Sequence, residues 1–140
     1  MERRKKLNRP TPYQRKDRLV RQRGSHDCVL ASLSMATRIP YSQLKDHYLP
    51  NHDFQTRGMT DDQLENIFQQ AGFCTKRVKR LYPGKPAILA LISLNRKGSW
   101  HGVYYNGSKL FDPNTGIPGR YIFTSIDSHS LRYALLFWRK

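Results

Sequence analysis

Cys28 and His101 are the two side chains best suited to covalent chemistry. A thiol is an effective nucleophile as the thiolate, which is favoured at a helix N-terminus and beside an imidazolium. Cys28 opens a segment in which apolar residues recur at helical spacing, and His101 lies at the start of a predicted strand. The two residues together predict nucleophilic catalysis by a thiolate with a histidine base. The alternative is an inert core cysteine and a structural histidine.

A tight turn after His101 indicates which carboxylate could orient its ring. Asn106-Gly107 is a strong type I′ hairpin sequence and lies midway between His101 and Asp112. With a two-residue turn, His101 and Asp112 face each other directly across the antiparallel pair. Asp112 would then be close enough to hold the imidazole in one tautomer. Asp112 could instead serve only as the first residue of an Asp-Pro turn.

Helices are predicted for the first half of the chain. The apolar spacing after Cys28 predicts a buried helix of roughly three turns. Ser25 or Asp27 can cap its start, and Pro40 ends it. Asp27 flanks Cys28 and could equally shape the entrance to the nucleophile. A short second helix is predicted over residues 41–49.

A third helix is predicted after a loop at residues 51–59. Thr60 and Gln63 have the spacing of a capping box, which marks a helix N-terminus. The helix should continue to about Ala71, because Gly72 is a typical C-terminal stop.

The second half of the chain has the composition of β-strands. Strands are predicted over residues 73–78, 86–94, 100–105, 108–111, 121–126 and 131–138, with 86–94 as a central strand. Helices followed by strands favour an α+β fold with an antiparallel sheet.

The chain of 140 residues is expected to form one domain with a basic arm. The net charge is +15, and residues 1–25 hold ten Lys or Arg and two acidic residues, a net charge of +8. We therefore divide the chain into a flexible basic arm, residues 1–21, and a folded domain, residues 22–140. The arm could simply aid solubility, or it could contact nucleic acid or an acidic partner.

Several classes of protein are disfavoured by composition. Two cysteines, Cys28 and Cys74, do not suggest a disulfide framework, and Cys74 is interpreted as a small core residue. No paired Cys or His spacing predicts a metal site, and no cofactor is predicted. The sequence has no apolar run of about 18 residues and no signal-peptide pattern, so a cytoplasmic protein is expected.

The residues from Gln22 to Cys28 resemble the start of the active site in papain-superfamily cysteine peptidases. They are most similar to the branch that cleaves bacteriocin leader peptides, in which a glutamine stands six residues before the nucleophile. The similarity continues in residues 100–103 and 110–113, and it spans roughly residues 22–115. It implies a small papain-like fold, with the nucleophile at a helix N-terminus and the helices packed on the sheet.

The resemblance also implies roles and a substrate class. Cys28, His101 and Asp112 would form a catalytic triad, and Gln22 with the Cys28 amide would form the oxyanion hole. The substrate would be a peptide or protein. One departure is Val29, where the branch often has glycine, and it could narrow access to the thiol.

The function predicted from these residues is a cysteine hydrolase, most simply a peptidase. Deamidation and acyl transfer remain alternatives, because the thioester step is common to all three reactions. Two further alternatives are a basic nucleic-acid-binding module and a degenerate relative that binds a protein partner without catalysis.

Overall fold

The computed structural model describes residues 19–24, 26–92, 100–113 and 131–140, in which three helices pack on a five-stranded antiparallel sheet. The helices are α1 (Cys28–Thr37), α2 (Tyr41–Tyr48) and α3 (Asp61–Gln70). The strands are β1 (Phe73–Val78), β2 (Ala87–Ile92), β3 (Trp100–Tyr105), β4 (Leu110–Phe111) and β5 (Leu131–Arg139). Their order across the sheet is β1-β5-β2-β3-β4, so β2 is central as predicted. The α+β class is confirmed.

Helix α1 lies in the centre of the fold, with all ten of its residues buried. The polar side chains of α1 can be buried because their hydroxyl groups donate hydrogen bonds to backbone carbonyls. The Ser34 hydroxyl donates to the Ile39 carbonyl (2.7 Å), and the Thr37 hydroxyl donates to the Leu33 carbonyl (2.8 Å). A satisfied hydroxyl avoids most of the desolvation cost of a buried polar group. The helix that carries Cys28 is therefore held rigidly from all sides.

The start of α1 differs from the prediction in how Asp27 is used. Asp27 occupies the N-cap position, but its side chain makes no capping hydrogen bond to the helix. Its carboxylate accepts from two backbone amides of the preceding loop instead. Ser25, the other predicted cap, lies outside the described residues.

Helix α3 begins with the predicted capping box. The Thr60 hydroxyl accepts from the Gln63 amide (3.1 Å), and the Gln63 side chain accepts from the Thr60 amide (2.9 Å). The helix ends at Gln70, one residue earlier than predicted, and Gly72 follows in the left-handed region with φ +96°. Among the described residues, no helix combines the length and apolarity needed to cross a bilayer.

The sheet is apolar on both faces because its strands alternate between two buried clusters. Ile88 and Ala90 of β2 pack in the cluster that includes the helices, and Ala87 and Leu89 pack in a second cluster. Strands β1 and β3 have the predicted bounds, and β5 extends one residue further than expected. The strand predicted over residues 121–126 lies outside the described residues.

The register between β3 and β4 differs from the prediction by two residues. Tyr105 pairs with Leu110, so the loop has four residues, 106–109, in place of two. Continuing this register puts Asp112 two positions away from the partner of His101, not directly opposite it. Because side chains alternate with a period of two, a shift of two keeps both residues on one face of the sheet. A diagonal pair of this kind is still within reach of a long side chain.

The wider loop is explained by the side chain of Asn106. Its side-chain oxygen Oδ1 accepts from the backbone amides of Ser108 (2.8 Å) and Lys109 (2.6 Å). The backbone amide of Asn106 donates to the Lys109 carbonyl (3.1 Å). These local bonds compete with the strand ladder. The return strand therefore begins at Leu110, not at Ser108 as predicted.

Candidate active site

Cys28 is the first residue of α1 and is buried, at 8% exposure. The unpaired amides of a helix N-terminus carry a partial positive charge, which favours a negative charge on sulfur. Val29 is also buried, at 3% exposure, so it points away from solvent.

Two contacts one helical turn apart hold strand β3 against the start of α1. The Gly102 amide donates to Cys28 Sγ (3.4 Å), and the Ser32 hydroxyl donates to the Gly102 carbonyl (3.1 Å). Residues at i and i+4 lie on the same helix face, so both contacts come from one side of α1. The peptide units around Gly102 are thereby held close to the sulfur, and His101 is brought to the thiol. No local pattern in the sequence identifies Ser32 and Gly102 as this link.

His101 and Asp112 are hydrogen-bonded, with His101 Nε2 2.8 Å from Asp112 Oδ1. The Asp112 side chain is only 2% exposed, whereas the His101 side chain is 27% exposed. A buried carboxylate on one ring nitrogen fixes the orientation of the imidazole. Because Asp112 occupies Nε2, Nδ1 is the nitrogen left for the Cys28 sulfur.

The surroundings of His101 favour its protonated form. Burial lowers the pKa of His101, but hydrogen bonds with Asp112 and Cys28 and the charges of these two groups raise it more, from 6.5 to about 10. An imidazolium between a carboxylate and a sulfur is the arrangement that a thiolate–imidazolium ion pair requires. Cys28, His101 and Asp112 thus lie together in the structure, and their catalytic roles stay predictions.

Gln22, the fourth predicted residue, is held near this group but makes no hydrogen bond to Cys28 in the described part of the chain. Its backbone amide donates to the carbonyl of Pro113, the residue after Asp112 (3.3 Å). Its side-chain Nε2 donates to the Gly24 carbonyl (2.6 Å). One Nε2 proton therefore remains for another acceptor. The side-chain oxygen Oε1 is buried and has no hydrogen-bond partner among the described residues.

The buried contacts of Asp27 go beyond the two roles considered from the sequence, a helix cap or a residue that shapes the entrance to Cys28. It is 1% exposed, and its carboxylate accepts from the amides of Arg23 (2.7 Å) and Gly24 (2.8 Å) and from the Tyr41 hydroxyl (2.6 Å). The burial of Tyr41 and its hydrogen bond to Asp27 raise the pKa of the phenol. A glycine three residues before Asp27 is compatible with a loop that folds back onto its carboxylate. The contact with Tyr41, in contrast, depends on the tertiary fold.

The second cysteine, Cys74, is partly exposed in β1 and does not belong to either buried cluster, contrary to its interpretation as a core residue. It pairs in register with Trp138 of β5. Within the described ranges, no group of three or more His, Cys, Asp or Glu side chains could hold a metal ion.

Comparison with solved structures identifies a peptidase domain of similar fold. The peptidase domain of ComA from Streptococcus, a bifunctional ABC transporter involved in a quorum-sensing pathway, superposes with a TM-score of 0.67. The match covers 89% of this chain and 100% of that domain, at 18% sequence identity. No protein-family model matches the sequence. No curated protein matches it either. The predicted papain-like fold is therefore confirmed, since the chain shares the fold of this peptidase domain.

Proposed function

We propose that the chain is a cysteine peptidase in which Cys28 is the nucleophile and His101 is the general base and acid. The observation that carries this proposal is the position of His101, whose ring contacts Asp112 through Nε2 and is held beside the Cys28 sulfur. The fold of a known peptidase domain supports it. Fold similarity alone would not assign an activity, because one fold can host many chemistries. The geometry of the site therefore carries the assignment.

The reaction follows from the ion pair. The Cys28 thiolate attacks the peptide carbonyl carbon, and the carbonyl oxygen becomes an oxyanion. His101 gives its Nδ1 proton to the leaving amine as the C–N bond breaks, which leaves a thioester on Cys28. Water, deprotonated by His101, then attacks the thioester, and the acid product leaves with the thiolate restored. Asp112 keeps the ring oriented and stabilises its positive charge.

The oxyanion would be stabilised by two donors in this proposal. One is the Cys28 backbone amide at the start of α1, and the other is the remaining Nε2 proton of Gln22. Loss of one such donor typically costs 10²- to 10³-fold in kcat, on the order of 3–4 kcal/mol. Water could be replaced by another acceptor, or the peptide by a side-chain amide, without any change in the thioester step.

The rate of alkylation by iodoacetamide tests the ion pair without knowledge of the substrate. We expect Cys28 to react much faster than Cys74 at about pH 6, below the ordinary thiol pKa of about 8.5. The His101→Ala variant should lose this difference, because it has no imidazolium to pair with the sulfur. Equal rates for the two cysteines in both proteins would overturn the proposal.

Turnover is tested by incubation with a mixed peptide library and mass spectrometry of the products. Cys28→Ala should abolish every cleavage, and the matched Cys74→Ala variant should retain them. Products that carry a deamidated glutamine and no new terminus would instead identify the alternative deamidase reaction. Cleavage by the Cys28→Ala variant would exclude the mechanism.

A further inference from the structure

A buried carboxylate that takes no part in the proposed triad organises the loop before the nucleophile. The Asp27 oxygens accept from two consecutive backbone amides, those of Arg23 and Gly24, and from the Tyr41 hydroxyl. The Asp27 carbonyl accepts from the Ala31 amide (3.0 Å), which is part of the first turn of α1. Charge-assisted hydrogen bonds of this kind are among the stronger ones in proteins. Asp27 therefore ties the loop to the helix that carries Cys28.

The same loop determines where the Gln22 side chain lies. Gly24, whose amide binds Asp27, uses its carbonyl to accept from Gln22 Nε2 (2.6 Å). The Gln22 backbone amide is anchored separately to the Pro113 carbonyl. The orientation of the side-chain amide thus depends on the peptide units that Asp27 holds.

The buried side-chain oxygen of Gln22 indicates that this orientation is imposed. An unpartnered buried acceptor costs on the order of 1–3 kcal/mol. Gln22 Oε1 has no partner within the described part of the chain, and rotation of the amide would bring it towards the Gly24 carbonyl, an acceptor facing an acceptor. A native structure that tolerates such an atom has another reason to hold the amide in place.

We propose that Asp27 is a positioning residue for catalysis: through the Arg23 and Gly24 amides it aims the Gln22 side-chain amide at the oxyanion formed on the substrate of Cys28. The inference rests on the proposed function, because it assigns a direction to the oxyanion donor of that reaction. Asp27 does not touch the reacting atoms.

Two reagents separate oxyanion stabilisation from thiolate reactivity. Iodoacetamide forms the S–C bond with departure of iodide and passes through no oxyanion. With p-nitrophenyl acetate, the Cys28 sulfur bonds to the carbonyl carbon, an oxyanion forms, and p-nitrophenolate then leaves with the bonding electrons. The ratio of acylation rate to alkylation rate therefore measures oxyanion stabilisation, with the Cys28→Ala protein as the blank.

The variants are Gln22→Ala, Asp27→Asn and the double variant. Asparagine keeps the shape of the side chain but presents an NH₂ group to a loop amide, so at least one of these hydrogen bonds is broken. We expect Gln22→Ala to lower the ratio about 100-fold and Asp27→Asn to lower it about tenfold through misplacement of the donor. The double variant should equal Gln22→Ala alone, since the two residues act as one unit.

Two controls exclude a merely structural effect. Asp46→Asn removes an exposed carboxylate from α2 and should leave the ratio unchanged. Tyr41→Phe removes one hydrogen bond to Asp27 but keeps both loop amides, so it should lower the melting temperature and not the ratio. If Asp27→Asn does not fold, Gly24→Pro replaces it. Proline lacks the backbone N–H that donates to Asp27, and it leaves the Asp27 carboxylate in place. Gly24→Ala, which keeps this N–H, is its control.

The outcomes distinguish this inference from the function on which it rests. An unchanged ratio in Asp27→Asn, with a lowered ratio in Gln22→Ala, overturns the positioning role alone. Additive losses in the double variant overturn it too, because they would mean that Asp27 acts independently of Gln22. Slow alkylation of Cys28 in the unmodified protein overturns the peptidase proposal and this inference with it.

Discussion

At the scale of single residues, His101 links the chemistry of the site to the stability of the fold. Its burial favours the neutral ring, but the contacts with Asp112 and Cys28 outweigh burial and raise the pKa of His101 to about 10. A histidine in the unfolded chain titrates near 6.5. The folded protein therefore binds this proton more tightly than the unfolded chain does.

This difference predicts how stability depends on pH. A group with a raised folded-state pKa contributes stability fully below its unfolded pKa and loses the contribution as pH rises through the folded value. We expect the His101 contribution to the free energy of unfolding to be complete below about pH 6.5 and to decline up to about pH 10. Urea unfolding of the native chain and of His101→Asn, at several pH values, measures it as the difference between the two curves.

Lysine and tyrosine side chains also make the free energy of unfolding depend on pH in this range. Both proteins share these contributions, so subtraction of the two curves removes them. A difference that stays constant across this range would contradict the raised pKa of His101.

At the scale of elements, the β3–β4 hairpin decides whether His101 and Asp112 can meet. Its loop contacts the connection between β1 and β2, where the Gly84 amide donates to the Gly107 carbonyl (2.8 Å). Gly107 has φ +101°, and a side chain there would bring Cβ to 3.2 Å from the Gly84 backbone. The hairpin is thus held by a glycine at its tip as well as by the ladder.

Replacement of Gly107 by alanine should destabilise the fold in two ways. The left-handed conformation costs a residue with a Cβ about 1–2 kcal/mol, and the contact with the Gly84 backbone adds to it. Gly72→Ala is the matched control, because Gly72 has φ +96° but a Cβ there would meet no described atom within 4 Å. Urea unfolding should show a loss of stability in both variants and a larger loss in Gly107→Ala. Equal losses would show that the Gly84 contact is relaxed without cost.

At the scale of the whole molecule, positive charge extends well beyond the arm. Residues 66–111 contain eight Lys or Arg and no acidic residue, so the basic character continues through the strands and loops of the sheet. Arg77 is an exception, because it is paired with Glu65 and Asp61 of α3. An excess of this size favours association with polyanions at low salt.

The predicted contact between the arm and nucleic acid stays a prediction, since residues 1–18 lie outside the described part of the chain. Leu19 and Val20, near the predicted boundary at residue 21, pack half-buried against the core that includes the helices. The division into a basic arm, residues 1–21, and a folded domain, residues 22–140, stays our proposal.

Affinity for a labelled single-stranded DNA at several salt concentrations tests the arm. We expect log K to fall linearly with log salt, and the triple variant Arg4→Gln, Lys5→Gln, Lys6→Gln to lower the slope by up to about 0.7 for each phosphate that no longer has a cationic partner. The matched control removes the same charge elsewhere, through Lys45→Gln, Arg57→Gln and Lys140→Gln. An equal effect of both triple variants would mean that net charge, not the arm, drives binding.

Local patterns allowed much of this protein to be predicted from its sequence. Helix α3 could be bounded within one residue because Thr60, Gln63 and Gly72 act through neighbours in the chain. Strands β1 and β3 could be bounded for a similar reason, since composition and turn residues are local. The pairing of Cys28 with His101 could be predicted from the order of a few chemically distinctive residues, and the fold from their resemblance to a family.

Tertiary structure alone decided the order and register of the strands and the surroundings of each site residue. The insertion of β5 between β1 and β2 joins β1 to a segment more than fifty residues away in sequence, and no local pattern specifies such a partner. The Asn106 side chain turned a two-residue turn into a four-residue loop, and the alternation of strand side chains nevertheless kept His101 and Asp112 on one face. The hydrogen bond between the Tyr41 hydroxyl and Asp27 was undetermined by sequence, because Tyr41 lies on another helix.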